Sequence, residues 1–153
     1  MTIVSSLSSH TALIVSDASI KHDIATSVPH IHMRDKPLIK TVHHVVFVTS
    51  TKAELFTIRY SLNQACNKEE ISKIIVVTNS IHMAKKIFNM KSHPYQIHAT
   101  AIFKELRQFF SKHQENHIEF WECPSCLKWN LHHSTDKDSK AFKPVPVLPS
   151  KIP

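Results

Sequence analysis

Apolar and polar positions along this chain follow two different periods, and the changes between them divide it into elements. After a Ser- and Thr-rich lead-in over residues 1–10, Ala12-Leu13-Ile14-Val15 runs directly into Ser16-Asp17-Ala18-Ser19. A short apolar run bounded by polar residues predicts a strand buried on both faces, here over Leu13 to Val15. Lys21-His22-Asp23 predicts a polar turn, Ile24 to Met33 a second strand, Arg34-Asp35-Lys36-Pro37 another turn, and Leu38 to Val48 a third strand. The short connections imply an antiparallel meander.

The period then lengthens. Thr51-Lys52-Ala53-Glu54 has the spacing of a capping box, and Leu55, Ile58, Leu62 and Ala65 follow on one helical face, which predicts a helix over 51–66. Ile74 to Val77 predicts a fourth strand, parallel to the first because a helix intervenes. Ser80 to Met90 reads as a shorter helix. The next helix starts near Pro94 and runs to about Lys112, with Ile102, Leu106 and Phe109 inward and Lys104 and Arg107 outward. Ile118 to Trp121 alternates as a fifth strand, and Trp129 to Phe142 reads as a last polar helix. The tail, 143–153, alternates Pro with Val, Leu and Ile and predicts an extended polyproline-type linker or disorder. The expected organisation is a lead-in at 1–10, one α/β domain at 11–142 and this Pro-rich tail. In such a mixed sheet the first strand neighbours the fourth, so Asp17 and Asn79 leave adjacent parallel strand ends.

Composition narrows the class. With 153 residues, 42% hydrophobic and 20% charged, the chain has the make-up of a single globular domain, and its apolar runs are too short to span a membrane. The first residues lack a secretory pattern, so the expected setting is intracellular, cytoplasm or nucleus. A formal net charge of +7 and a pI near 9.4 point to a polyanionic partner, nucleic acid before membrane. Three cysteines, an odd count, argue against a disulfide framework. Cys123-Pro124-Ser125-Cys126 with His132 and His133 offers Cys and His ligands for zinc, but the spacing is not that of a standard finger. The sequence contains no glycine, so turns that need a left-handed residue must use Asn, Asp or His.

Four short segments, taken in order, resemble one family. Ser16-Asp17-Ala18-Ser19 after the first strand is similar to the Thr-Asp-Gly-Ser signature of the ribonuclease H-like fold. Ala53-Glu54-Leu55 resembles the segment carrying its catalytic glutamate, and Thr78-Asn79-Ser80 its Thr-Asp-Ser motif. Thr135-Asp136-Lys137 resembles its final Ala-Asp pair. The match spans about residues 12–142, and a Trp-containing fifth strand makes it most like ribonuclease H domains of fungal retrotransposon reverse transcriptases. The resemblance implies a five-stranded mixed sheet, three antiparallel strands then two parallel, flanked by helices. It also implies hydrolysis of the RNA strand of RNA–DNA hybrids with two Mg²⁺ (or Mn²⁺) ions, held by Asp17, Glu54, Asn79 and Asp136. Hard-oxygen ligands suit magnesium, and two ions about 4 Å apart can activate a water and relieve charge on the leaving oxygen. Asn79 departs from the pattern: an amide oxygen ligates without charge, so weak or absent hydrolysis is expected. The alternative is a catalytically inactive nucleic-acid-binding remnant of a retroelement, and the ends are compatible with excision from a larger polyprotein. On the residues alone Glu54 also fits the reciprocal half of the capping box, and Asp138 stands two residues from Asp136. Lys85, Lys86, Lys104 and Arg107, with Lys91, form a candidate basic ledge for the phosphates of a hybrid.

Overall fold

A computed structural model describes residues 8–15, 18–22, 24–46, 50–78, 96–122 and 143–148. The first expected strand is present as β1 (Thr11–Val15), and β2 (Ala18–Lys21) follows it as a strand beyond those expected, taking in Lys21 from the expected turn. The second and third expected strands are each present as two pieces, the second as β3 (Ile24–Ser27) and β4 (His30–Met33), the third as β5 (Ile39–Lys40) and β6 (His43–Val46). In the second strand the break falls at Val28-Pro29, where proline has no N–H to give the ladder. Helix α1 (Ser50–Cys66) follows, then β7 (Lys73–Thr78), α2 (Gln96–Lys112), β8 (His117–Glu122) and β9 (Lys143–Pro146).

One ladder runs β5-β4-β1-β7-β8-β9 and the other β2-β3-β6. β1 pairs antiparallel with β4 and parallel with β7, and β8 joins β7 in parallel. The expected order of three antiparallel strands followed by two parallel ones is therefore present. The turn from β2 to β3 uses His22 at φ 53°, and the turn after β4 uses Asp35 at φ 59°. Both are residue types the glycine-free sequence had to place there.

Every residue of β1 is buried, as are Ile74 to Val77 in β7. Ala12, Ile14, Ile74, Val76, Ile118 and Phe120 face the core, with Leu55, Ile58, Leu62, Ile102, Leu106 and Phe109 of the two helices against them. The helix ends are closed by side chains: Lys112 Nζ donates to the Cys66 carbonyl at 2.7 Å, and Asn116 Nδ2 to the Phe109 carbonyl at 2.7 Å.

The tail differs from the expected linker. Its first residues are extended, but they form β9, antiparallel to β8, with Phe120 opposite Val145. Val147 N–H donates to the Ile118 carbonyl at 2.8 Å, and the Val147 side chain is 5% exposed in the core. In an antiparallel ladder only alternate residues bond to one neighbour, so Pro144 and Pro146 point their missing donors away from β8. The helix expected at Ser80 to Met90 and the one at Trp129 to Phe142 lie outside the described residues.

Candidate active-site edge

The register sets the frame of the site. Val15 lies beside Val77 in the parallel β1–β7 pair, so these two strands end at the same level of the sheet. In sequence Asp17 comes two residues after Val15 and Asn79 two after Val77. The carboxyl ends of neighbouring parallel strands are where open α/β sheets place their ligands. Asp17 and Asn79 themselves lie outside the described residues. So do Asp136 and Asp138, Lys85, Lys86 and Lys91, and the Cys123, Cys126, His132 and His133 group. Glu54, Lys104 and Arg107 are described.

Glu54 stands on α1 in its second turn. The helix begins at Ser50, so Thr51 falls inside the first turn and the third helical position is Lys52, which takes Glu54 away from the capping-box position expected for it. The contacts of α1 fix which way Glu54 is set. Phe56 and Tyr60 pack edge-on against His43 of β6, with ring centroids 5.6 and 4.3 Å away. Thr57, further round the helix, meets Ser27 of β3. At about 100° per residue, Glu54 is about 60° further round again. Since that ladder is ordered β6-β3-β2, the next strand it meets is β2, which position 17 precedes. Glu54 is half-buried there.

The contact between Thr57 and Ser27 is a buried hydroxyl pair. Thr57 Oγ1 donates to the Ala53 carbonyl at 2.8 Å, which uses its one proton, so Ser27 donates to Thr57. Ser61 continues the seam by donating to the Thr57 carbonyl at 2.7 Å. Ser27, Thr57 and Ser61 are all 0% exposed. The sequence reading missed all three. The available signal was hydroxyls at 53 + 4 and 57 + 4 spacing on a flank with no apolar role, a pattern that helix periodicity alone passes over.

Lys104 and Arg107 are exposed on α2, as expected. Lys104 lines a groove of about 520 Å³ between α1 and α2, with Phe56, Arg59, Tyr60 and Asn63 on its other wall. Asn63 Nδ2 donates to Glu105 Oε1 at 2.7 Å across it. Asn63 is nine residues from Glu54, which puts the groove on the opposite flank of α1. The structure therefore does not bring Lys104 beside Glu54. Arg59, absent from the expected ledge, shares the groove with Lys104.

Glu54 supplies carboxylate oxygen rather than thiolate or imidazole, the donor chemistry that magnesium prefers. Among the described residues no three His, Cys, Asp or Glu side chains converge on one point. Cys66 offers no nucleophile: burial, with Glu105 adding to it against Lys112, pushes its thiol up to about 12. On the other side of the sheet Glu119 receives the Trp121 Nε1 hydrogen at 2.6 Å, contacts His117 Nε2 at 3.0 Å and sits 3.8 Å from Lys73 Nζ. Burial works to raise its carboxyl, but the hydrogen bonds and the Lys73 charge together hold it below the usual carboxylate value.

The fold is ribonuclease H-like. The chain is similar to a ribonuclease H1 from the archaeon Halobacterium salinarum, with 12% identity, a TM-score of 0.62, and 76% of this chain and 88% of that one covered. It is also similar to LC11-RNase H1, solved in complex with an RNA/DNA hybrid (14% identity, TM-score 0.56, 76% and 87% covered). A third similar structure is the protease-reverse transcriptase of prototype foamy virus, at 12% identity and TM-score 0.59. There 92% of this chain is covered but only 21% of that one. No family model and no curated protein matches the sequence.

Proposed function

We propose that this chain is a ribonuclease H-type domain that binds RNA–DNA hybrids and hydrolyses their RNA strand weakly because Asn79 replaces a carboxylate. The observation that carries this reading is the setting of Glu54. It lies on the α1 flank turned toward β2, the strand that follows Asp17 in sequence, while β1 and β7, which Asp17 and Asn79 follow, end at one level of the sheet. The hybrid-bound LC11-RNase H1 and the foamy virus reverse transcriptase among similar structures support the substrate class. The foamy virus likeness and the Trp-containing strand β8 support a retroelement origin of the fungal retrotransposon type, in which the domain is one part of a larger polyprotein.

In this reading Asp17, Glu54, Asn79 and Asp136 would hold two Mg²⁺ or Mn²⁺ ions. When bound, the ions supply an activated water and offset charge at the leaving oxygen. Asp17 would serve both ions, Glu54 and Asn79 the ion on the leaving-group side, and Asp136 the ion that holds the attacking water. Asn79 would offer its carbonyl oxygen but no charge, and an amide NH₂ cannot ligate a cation. Lys85, Lys86, Lys104 and Arg107 contact hybrid phosphates, which adds affinity without sequence preference. The sites lie inside the cell, in cytoplasm or nucleus.

A second reading is favoured by Asn79 specifically: a hybrid-binding module without hydrolysis. Incubation of a labelled hybrid with Mg²⁺ or Mn²⁺ separates the two. Slow RNA-strand cleavage, abolished by Glu54→Gln, is expected of the first. Salt-dependent binding with no cleavage in either metal selects the second.

A further inference from the structure

We propose that Ser27 and Thr57 are positioning residues that fix the turn of α1 carrying Glu54 at its height above β2 and β3. The proposal rests on the reading of Glu54 as a metal-binding carboxylate. Three features of the seam carry it.

The first is register. Ser27 pairs with Ala18, the residue that follows Asp17, so the strand position bonded to Thr57 is directly opposite the entry to β2. Thr57 lies one turn after Glu54 and bonds back to the Ala53 carbonyl, the peptide that leads into Glu54. A hydrogen-bonded path thus runs from the strand position opposite Ala18 to the peptide that leads into Glu54.

The second is the chemistry of the link. Apolar side chains at 27 and 57 would pack as well as hydroxyls, but apolar contact tolerates sliding of a helix along a sheet. A buried hydroxyl pair does not, because a shift of part of a turn leaves the buried Ser27 donor without its acceptor, while Thr57 keeps only its own bond to the Ala53 carbonyl. Ser27 and Thr57 are 0% exposed, so water cannot replace the lost bond.

The third is direction. Positions 54, 57 and 61 fall within about 60° of the helix circumference, so the polar seam and Glu54 share one flank of α1, while the core residues Leu55, Ile58 and Leu62 occupy the next. The seam is therefore aligned with the edge to which Glu54 is directed. Groups that orient a metal ligand typically change metal affinity when removed, even though they never touch the ion.

The test measures Mn²⁺ binding to the full chain by the electron paramagnetic resonance of free Mn²⁺, alongside hybrid affinity in EDTA and thermal unfolding. Ser27→Ala and Thr57→Val are each expected to weaken Mn²⁺ binding about tenfold. Hybrid affinity in EDTA is expected to stay unchanged, while Ser27→Thr and Thr57→Ser, which keep the hydroxyls, restore Mn²⁺ binding. Unchanged Mn²⁺ affinity in Thr57→Val, in a protein where Glu54→Gln weakens it, overturns the proposal and leaves Glu54 as a ligand. Parallel loss of Mn²⁺ and hybrid binding in both Ser27→Ala and Thr57→Val marks a general structural role and also overturns it. If Glu54→Gln binds Mn²⁺ as the unaltered chain does, the ligand reading itself fails and the positioning role falls with it.

Discussion

Single side chains here take their chemistry from what surrounds them. Glu54 is set on the α1 flank toward β2 because its neighbours on α1 are committed elsewhere, Phe56 and Tyr60 to His43 and Thr57 to Ser27. Cys66 is the opposite case, a thiol that burial renders inert. Iodoacetamide at pH 8 is expected to leave Cys66 unmodified in the folded protein and to modify it after denaturation, as peptide mass mapping will show; rapid labelling of Cys66 in the native state contradicts the buried, raised thiol. Glu119 gives a pH prediction. Its carboxyl is held below its unfolded value, so the stabilisation is fully present above the unfolded value near 4.5 and is lost as pH falls through the lower, folded value. Acid titrations of thermal unfolding are expected to fall less steeply below pH ~4.5 in Glu119→Gln than in the unaltered chain.

At the scale of elements, β9 ties the tail to the rest. Val147 inserts into the core and its N–H holds Ile118, so Val147→Asp is expected to destabilise by about 2 kcal/mol or more, read as a lowered unfolding temperature. Leu106→Ala, at a fully buried position between α2 and the sheet, is expected to cost about 2–5 kcal/mol by the same measurement. The contrast between these two positions shows what the sequence carries. Leu106 was legible because Ile102, Leu106 and Phe109 recur at helical spacing, and β1 and β7 because an unbroken apolar run has few other uses. Val147 was not, because alternating prolines describe a segment that cannot serve as an inner strand, and nothing local says that its remaining N–H groups meet the edge of β8. The split of the second and third meander strands was hidden for a related reason: a bend leaves the two-residue alternation intact, and only the partners change. Of the candidate site, Asp17, Glu54 and Asn79 stand out in the sequence by residue type after a strand or on a helix, and Glu54 is the one of these three among the described residues. The contact of Ser27 with Thr57 joins residues thirty apart and has no local signature.

The whole molecule combines a ribonuclease H-like sheet with a strong positive charge, and none of its described helices is long and apolar enough to cross a membrane. With a formal charge of +7, hybrid binding is expected to weaken linearly in log–log form as salt rises. If Lys104 and Arg107 each meet a phosphate, the joint Lys104→Ala and Arg107→Ala variant reduces that slope by about 2; an unchanged slope removes α2 from the binding surface. The groove shared by Lys104 and Arg59 lies across α1 from Glu54, so this measurement also tells whether bound nucleic acid reaches beyond the strand-end edge. The central claim is that a ribonuclease H-type site is assembled at that edge and is limited by one missing charge. Its most direct test is the rate of RNA-strand cleavage in an RNA–DNA hybrid with Mg²⁺, compared between the unaltered chain and Asn79→Asp. Restoring the carboxylate is expected to raise the rate at least about tenfold, equivalent to about 1.4 kcal/mol of transition-state stabilisation. Equal rates in the two proteins, whether both cleave or neither does, contradict it.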